Sequence, residues 1–487
     1  MNTTRRRPLR SCAFVAAALL AGLAFTSGCS LPASSTTANI PPSPPPAEAR
    51  SVATPADGYR GIWYSLGSRG AGDVKYSGGL GTYTSSHTPM AVYAPAVDRT
   101  FFTYGGTPAP DRRQLQIMVG VFDHARRRLA RPVLLLDKPE VDDPHDNASL
   151  NLDDAGHLWV FASGRNTARP GVIFRSQRPF DISQFDRIAT QAFTYPQPWH
   201  TPGRGWLLLF TQYTAGRELY WKTSPDGFTW SADHKLAGFG GHYQTSAHHA
   251  PTGTIATFFN YHPGGDVDRR TNLYYAQTTD HGATWTTVDR RPLTLPLATI
   301  DNPALVADLE SAGELLFTCD LNFDAHGRPI LLYVIGRDAR PGPATAPREW
   351  RVSHWTGSAW ETHTVTTSDH NYDMGSLYVE NDAWRIVAPT APGPQPHGVG
   401  GEMVLWISRD QGRTWTAPQA LTQASRHNHS YARRPLHARD PFYVFWADGD
   451  PRHLSPSQLY FADSTGREVH PMPSTIATDD IPVPASR

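Results

Sequence analysis

The sequence predicts an all-β chain closed into a single seven-bladed β-propeller of four-stranded blades, and three observations carry that reading. From Gly58 onward no helical period is sustained. Short runs of Val, Ile, Leu, Phe, Tyr and Trp alternate with Gly, Pro, Asp and Asn, the pattern of strands joined by tight turns. Three segments, Ser224 to Trp230, Thr278 to Trp285 and Ser408 to Trp415, share an opening Ser or Thr, then Asp and Gly, then a closing Thr-Trp. Their Asp and Gly suit a hairpin turn, and the Trp suits packing between sheets. Finally, a polar anchor recurs ahead of a strand pair at His87, His145, Tyr195, His242, Asp301, His370 and His429, 47 to 69 residues apart. A four-stranded blade takes roughly 40 to 60 residues, so seven such units fill one ring.

In chain order, residues 1–28 read as a signal peptide. Arg5, Arg6, Arg7 and Arg10 precede an apolar stretch, Cys12 to Phe25, that is too short to span a bilayer. Thr26-Ser27-Gly28-Cys29 has the form of a lipobox, which makes Cys29 the lipidation site. The expectation is an exported protein held in the bacterial cell envelope, in the periplasm or at the surface, with its lipid as the sole membrane contact. Residues 29–57, with the run Pro41-Pro42-Ser43-Pro44-Pro45-Pro46, read as a flexible linker. Residues 58–463 read as the propeller and 464–487 as a C-terminal tail. Once Cys29 is lipidated only Cys319 remains, so no intramolecular disulfide is expected.

The 487 residues carry 44 Lys+Arg against 44 Asp+Glu, and loss of the leader's arginines leaves a slightly acidic mature chain. A protein that grips phosphates needs a basic excess, so nucleic acid is not an expected partner. The 39% hydrophobic content suffices for a sizeable core, read here as a monomer. Phosphate-binding Gly loops, Cys/His zinc patterns and Gly-x-Ser-x-Gly elbows are absent from the sequence. Asp142-Asp143-Pro144-His145-Asp146 gathers hard-cation ligands without calcium-loop spacing. No cofactor is expected, and a structural metal such as calcium stays open.

The stretches Gly58-Tyr59-Arg60-Gly61-Ile62-Trp63, Lys75-Tyr76-Ser77-Gly78-Gly79-Leu80-Gly81-Thr82-Tyr83 and Asp142-Asp143-Pro144-His145-Asp146-Asn147, with the three Asp boxes, resemble the bacterial-neuraminidase-repeat propellers. Within that group they are similar to seven-bladed enzymes that attack rhamnose–glucuronate linkages. These are the ulvan lyases and the lyases or α-L-rhamnosidases that remove α-1,4-linked rhamnose caps from glucuronate in arabinogalactans. The resemblance implies an acidic polysaccharide or oligosaccharide substrate. Carried over residue by residue, the first cleft His of the lyases matches His145 and their cleft Tyr matches Tyr195. Their second His falls on Arg165, and their Arg falls near Thr211 or Gln212. Those two departures shift the expected substrate from ulvan toward rhamnose-capped glucuronate. The N-terminal His of the rhamnose-cap enzymes carries over to His87.

Cleavage at O4 of a glucuronate by β-elimination needs a neutralised carboxylate, a base for the C5 proton and an acid for the leaving oxygen. Arg165 suits the first role, because its fork pairs with a carboxylate and keeps its charge. His145 and Tyr195 suit the proton transfers. Hydrolysis of the same linkage ordinarily takes two carboxylic acids, and spacing alone selects no pair. A hydrolytic alternative centres on His87, assisted by the substrate's own carboxylate. His242, Tyr243, His370, Asn371, Arg433 and Arg434, at or after later anchors, are the expected substrate-binding residues, since rings stack on sugar faces and Arg reads a uronate. A non-catalytic glycan-binding propeller is the further alternative, because the fold serves both uses.

Overall fold

Strands covered by neighbours on both faces must be apolar throughout, whereas outer strands facing water alternate. Leu158–Ala162 is buried along its whole length, while Trp360–Ser368 alternates between half-buried and exposed positions. The computed structural model describes residues 53–68, 74–380 and 382–485. The expected signal peptide, Cys29 and the Pro run of the linker lie outside those residues.

Six four-stranded antiparallel blades form, rather than the seven expected. Blades 1 to 6 comprise residues 148–191, 194–237, 244–307, 315–368, 376–420 and 428–471, each with its strands ordered as in the chain. The unit anchored on His87 is instead part of a seven-stranded sheet. Its meander of Ala91–Ala94, Arg99–Gly106, Leu115–Asp123 and Val133–Lys138 gains Arg128–Ala130 and the first and last described strands. Thr54–Pro55 pairs with Val133–Lys138, and Asp480–Pro482 pairs with Arg128–Ala130. The physical reason for the enlargement is that an open sheet edge leaves backbone groups unpaired, and the first and last described strands satisfy them here. Residues 464–487 are therefore not a plain tail, since Val469–Pro471 is also the outer strand of blade 6. A separate hairpin, Trp63–Ser68 with Val74–Gly79, precedes the large sheet.

The seam between blade 6 and the seven-stranded sheet is aromatic. Phe102 packs on Phe442 with ring centroids 4.9 Å apart, and Phe122 on Phe461 at 5.4 Å. Such pairs add about 0.5–1.5 kcal/mol each beyond their area burial.

The Asp boxes close the turns from third to fourth strands. In the box of blade 3, Thr278 Oγ1 accepts from Gly282 N at 2.8 Å and Asp280 Oδ1 from Thr284 N at 2.9 Å. Gly282 has φ +89°, and a Cβ there would stand 2.6 Å from the Trp221 ring of blade 2, so the glycine is required by conformation and by packing.

One anchor is displaced from its expected place. Asp301 lies in an exposed bend ahead of the outer strand Leu305–Ala307, and the next inner strand is Leu315–Phe323. The long connection carries an Asp box and its own bridges, Gln277 to Thr286 and Thr286 to Pro292, which stretch the repeat at this point. His429 sits within the inner strand Asn428–Arg433, where its Nδ1 accepts from Trp446 Nε1 at 2.9 Å.

Candidate active site

The starts of several inner strands and the turns joining second to third strands meet at one end of the ring. Pro144 opens a single 3-10 turn, Pro144–Asp146, and Asp143 caps it by accepting from His145 N at 3.0 Å. The same carboxylate oxygen bonds His145 Nδ1, so the proton is assigned to Nδ1 and Nε2 is left as acceptor. Nε2 faces the hydroxyls of Tyr76 at 2.6 Å and Tyr83 at 2.7 Å. Burial, reinforced by the charge of Arg165 and opposed by Asp143, pushes the imidazole down to about 4. It is therefore neutral at pH 7.

Arg165 organises the next layer. Its Nη2 donates to Asp143 Oδ2 at 2.6 Å, and its Nη1 donates to Tyr213 Oη at 2.9 Å and Tyr195 Oη at 3.2 Å. Burial alone would raise the Asp143 carboxyl, but His145 and Arg165 together hold it well below the usual carboxylate range. Tyr195 adopts φ +54° at a register shift in its strand, which aims its ring inward between His87, 5.5 Å away, and His145, 6.0 Å away. Left-handed backbone at a non-glycine residue is strained, and such strain clusters at functional sites. Buried to 1% exposure, its phenol is pushed well above its ordinary value.

Tyr243 stands opposite and titrates the other way. The Arg270 guanidinium lies 4.4 Å from its ring centroid, and the Arg217 guanidinium 5.8 Å. Burial would raise this phenol, yet Arg217, Arg270 and Arg165, with a hydrogen bond from Tyr195, bring it below its ordinary value. Arg270 Nη2 donates to Tyr372 Oη at 2.6 Å. Arg217, half-buried and 5.3 Å over the Tyr213 ring, has no ion pair among the described residues. Its side chain hydrogen-bonds Tyr213, and its Nε is buried without a hydrogen-bond partner among the described residues.

The structure brings His145, Arg165, Tyr195 and Tyr243 into one contiguous cluster. His87 lies just behind it, fully buried, its Nδ1 accepting from Thr84 N at 3.1 Å. Arg433 is spent on the same loop, donating to the carbonyls of Thr84 and His87. Arg434 pairs with Asp320, its Nε 2.7 Å from Oδ2. His242 is buried between the carbonyl of Asn260, 2.8 Å from Nδ1, and the amide of Phe239, 3.2 Å from Nε2, and so supports Tyr243 from behind. His370 Nδ1 accepts from Tyr372 N at 3.1 Å, and Asn371 Nδ2 donates to the carbonyls of Asp338 and Ala339.

Sequence reasoning did not assign roles to Tyr76, Tyr83, Tyr213, Arg217 or Arg270. Arg217 lies across a hairpin turn from Thr211 and Gln212, near which the expected Arg position falls. For Arg270 no local signal exists. The carboxylates of the 142–146 cluster are engaged: Asp142 by Arg113, and Asp146 by Lys138 and Arg169, each within 3.0 Å. Among the described residues no group of three or more His, Cys, Asp and Glu side chains is placed to hold a metal.

Residues 119–368, just over half of the chain, match the BNR repeat-containing family. The chain belongs to that family. No curated protein matches this BNR repeat-containing protein in sequence. Among solved structures it is similar to an ulvan lyase that represents a new polysaccharide lyase family, with a TM-score of 0.64 at 15% identity over 85% of this chain and 96% of that one. The same lyase bound to -[GlcA(1-4)Rha3S]- superposes with the same TM-score of 0.64. The polysaccharide lyase Uly1 gives 0.54 at 12% identity, over 85% of this chain and 99% of its own. At such identities the likeness establishes a shared propeller fold, and the chemistry rests on the site.

Proposed function

We propose that this BNR repeat-containing protein is a polysaccharide lyase that cleaves a rhamnose–glucuronate linkage in an acidic polysaccharide by β-elimination. The observation that carries the reading is Tyr243, a partly exposed phenol ringed by Arg165, Arg217 and Arg270, beside a guanidinium with no acidic partner. Arg217 neutralises the uronate carboxylate, which acidifies the C5 proton. Tyr243, as phenolate, takes that proton. The C5–H electrons form the C4=C5 double bond and the C4–O4 bond breaks. In a gluco-configured uronate H5 and O4 lie on the same ring face, so the Tyr243 phenol can return its proton to the departing O4. Arg165, committed to Asp143, and His145, neutral between Asp143 and two phenols, hold the tyrosine array in place. The similarity of fold to the two lyases supports the reaction class.

Hydrolysis through His87 is disfavoured by the complete burial of that ring behind Tyr195. The test is incubation with rhamnose-capped arabinogalactan oligosaccharides and with ulvan, followed by ultraviolet absorbance and mass analysis. Elimination creates a conjugated double bond. Release of rhamnose with addition of water and without absorbance would replace the lyase by a hydrolase, and no product from either polymer would favour a glycan-binding propeller.

A further inference from the structure

Between blades 3 and 4 lies a cavity of about 420 Å³. That volume falls within the range of small-ligand sites. Asp268 and Arg269 line it, and the next residue, Arg270, is the one stacked on Tyr243, so one loop serves both the cavity and the candidate active site. The remaining walls include Glu310, Glu314 and the segment 337–340.

Most of the charges around this cavity are already matched. Asp268 pairs with Lys75 at 2.5 Å, Glu314 with Arg351 at 2.8 Å, a guanidinium that Glu349 shares at 2.9 Å, Asp338 with Arg340 at 2.6 Å and Glu310 with Arg269 at 3.9 Å. Arg337 is exposed on the wall and has no ion pair or side-chain hydrogen bond among the described residues. Among the charged groups of the lining, which include the carboxylates of Asp268, Glu310, Glu314 and Asp338, Arg337 is therefore the guanidinium left free to meet an anion.

The backbone that carries Arg337 is held in place. Asn371 Nδ2 donates to the carbonyls of Asp338 and Ala339, both at 3.2 Å, and the fully buried Arg348 donates to the carbonyl of Arg340 at 2.7 Å. Asn371 directly precedes Tyr372, whose hydroxyl receives the Arg270 hydrogen bond. A segment ordered before binding loses less entropy on binding.

We propose that this cavity is a distal subsite in which Arg337 pairs with an anionic substituent on a sugar unit beyond the cleaved linkage. The substituent is a carboxylate or a sulfate ester, both of which an Arg fork recognises. The inference rests on the lyase reading for the identity of the polymer, and it assigns to Arg337 the selection of longer, acidic chains.

The test compares wild type, Arg337→Gln and the charge-matched control Arg467→Gln, an exposed residue at the far edge of blade 6. Their kcat/KM values on a rhamnose–glucuronate disaccharide and on the tetrasaccharide are measured with native and desulfated oligosaccharides. The ratio of tetrasaccharide to disaccharide should fall roughly tenfold in Arg337→Gln, the scale of one charge-assisted hydrogen bond, and stay unmoved in Arg467→Gln. Loss of the wild-type preference on desulfation identifies a sulfate ester as the anion, and its retention identifies a carboxylate. An unchanged ratio in Arg337→Gln, or an equal fall in the control, overturns the proposal. If wild type cleaves none of these sugars, the lyase reading fails by itself. Calorimetric titration with the native tetrasaccharide then decides the subsite: weaker binding by Arg337→Gln than by wild type supports it, and equal binding or none overturns it.

Discussion

Tyr195 and Tyr243 are in contact, their ring centroids 5.7 Å apart, yet their surroundings drive their protons in opposite directions. Tyr195 is sealed off and kept protonated, while Tyr243 is partly open and has cations on several sides. Tyr243→Phe keeps the ring and removes the proposed proton carrier, so turnover should fall by roughly 10² to 10⁴ with near-ultraviolet circular dichroism unchanged. Tyr195→Phe should cost much less, and the reverse order would return the proton transfer to Tyr195. Arg217→Gln removes a charge that lowers the Tyr243 phenol, so the phenol rises and the phenolate forms only at higher pH. The acidic limb of the kcat/KM profile should therefore move to higher pH; a limb that stays in place while activity drops would mean that Arg217 acts on substrate alone.

At the scale of elements, turns and bulges decide where the side chains point. The Asp boxes are local structures, since side-chain oxygens a few residues back satisfy the turn amides, and this is why they were legible in the sequence. Gly282→Ala forces a Cβ into a left-handed turn against Trp221, 2.6 Å away, and should lower stability by about 2–3 kcal/mol, read as a shift in the urea midpoint. A shift near zero would mean that the turn relaxes freely. The placement of Tyr195 at a register shift, and of Tyr431 at another, could not be read locally, because a bulge is set by what the partner strand allows.

For the whole molecule, burial of neutral histidine sets the response to acid. His145, His242, His248 and His429 are each pushed down to about 4 from an ordinary 6.5, chiefly by burial. The unfolded chain then takes up protons that the folded ring refuses. Their contribution is whole above pH 6.5 and is lost as pH falls toward 4, with a scale on the order of 3 kcal/mol per residue. The unfolding midpoint should drop steeply across that window, and a midpoint flat from pH 6.5 to 4 would show these rings to be protonated in the fold. Beyond the described residues, lipid anchoring at Cys29 is proposed from the leader alone. Cys29→Ala should move the protein from the membrane to the soluble fraction, and unchanged fractionation would exclude it.

The all-β class, the repeat and its hairpins were legible because alternation, turn chemistry and tight spacing are short-range properties of the chain. His145, Arg165 and Tyr195 were picked from the chain by residue type, and the fold brings them together. The enlargement of the first unit into a seven-stranded sheet was not legible, since Thr54–Pro55 and Asp480–Pro482 lie at opposite ends of the described chain and gain partners only when the ring closes. The same holds for the candidate catalytic group. Tyr243 takes its character from Arg165, Arg217 and Arg270, contributed by three different blades, or by different turns of them, and an electrostatic neighbour counts by its distance in space and by its burial. Arg433 and Arg434 make the same point in reverse: their charge reads as substrate-binding in the sequence, and only folding reveals the carbonyls and the Asp320 carboxylate that already occupy them.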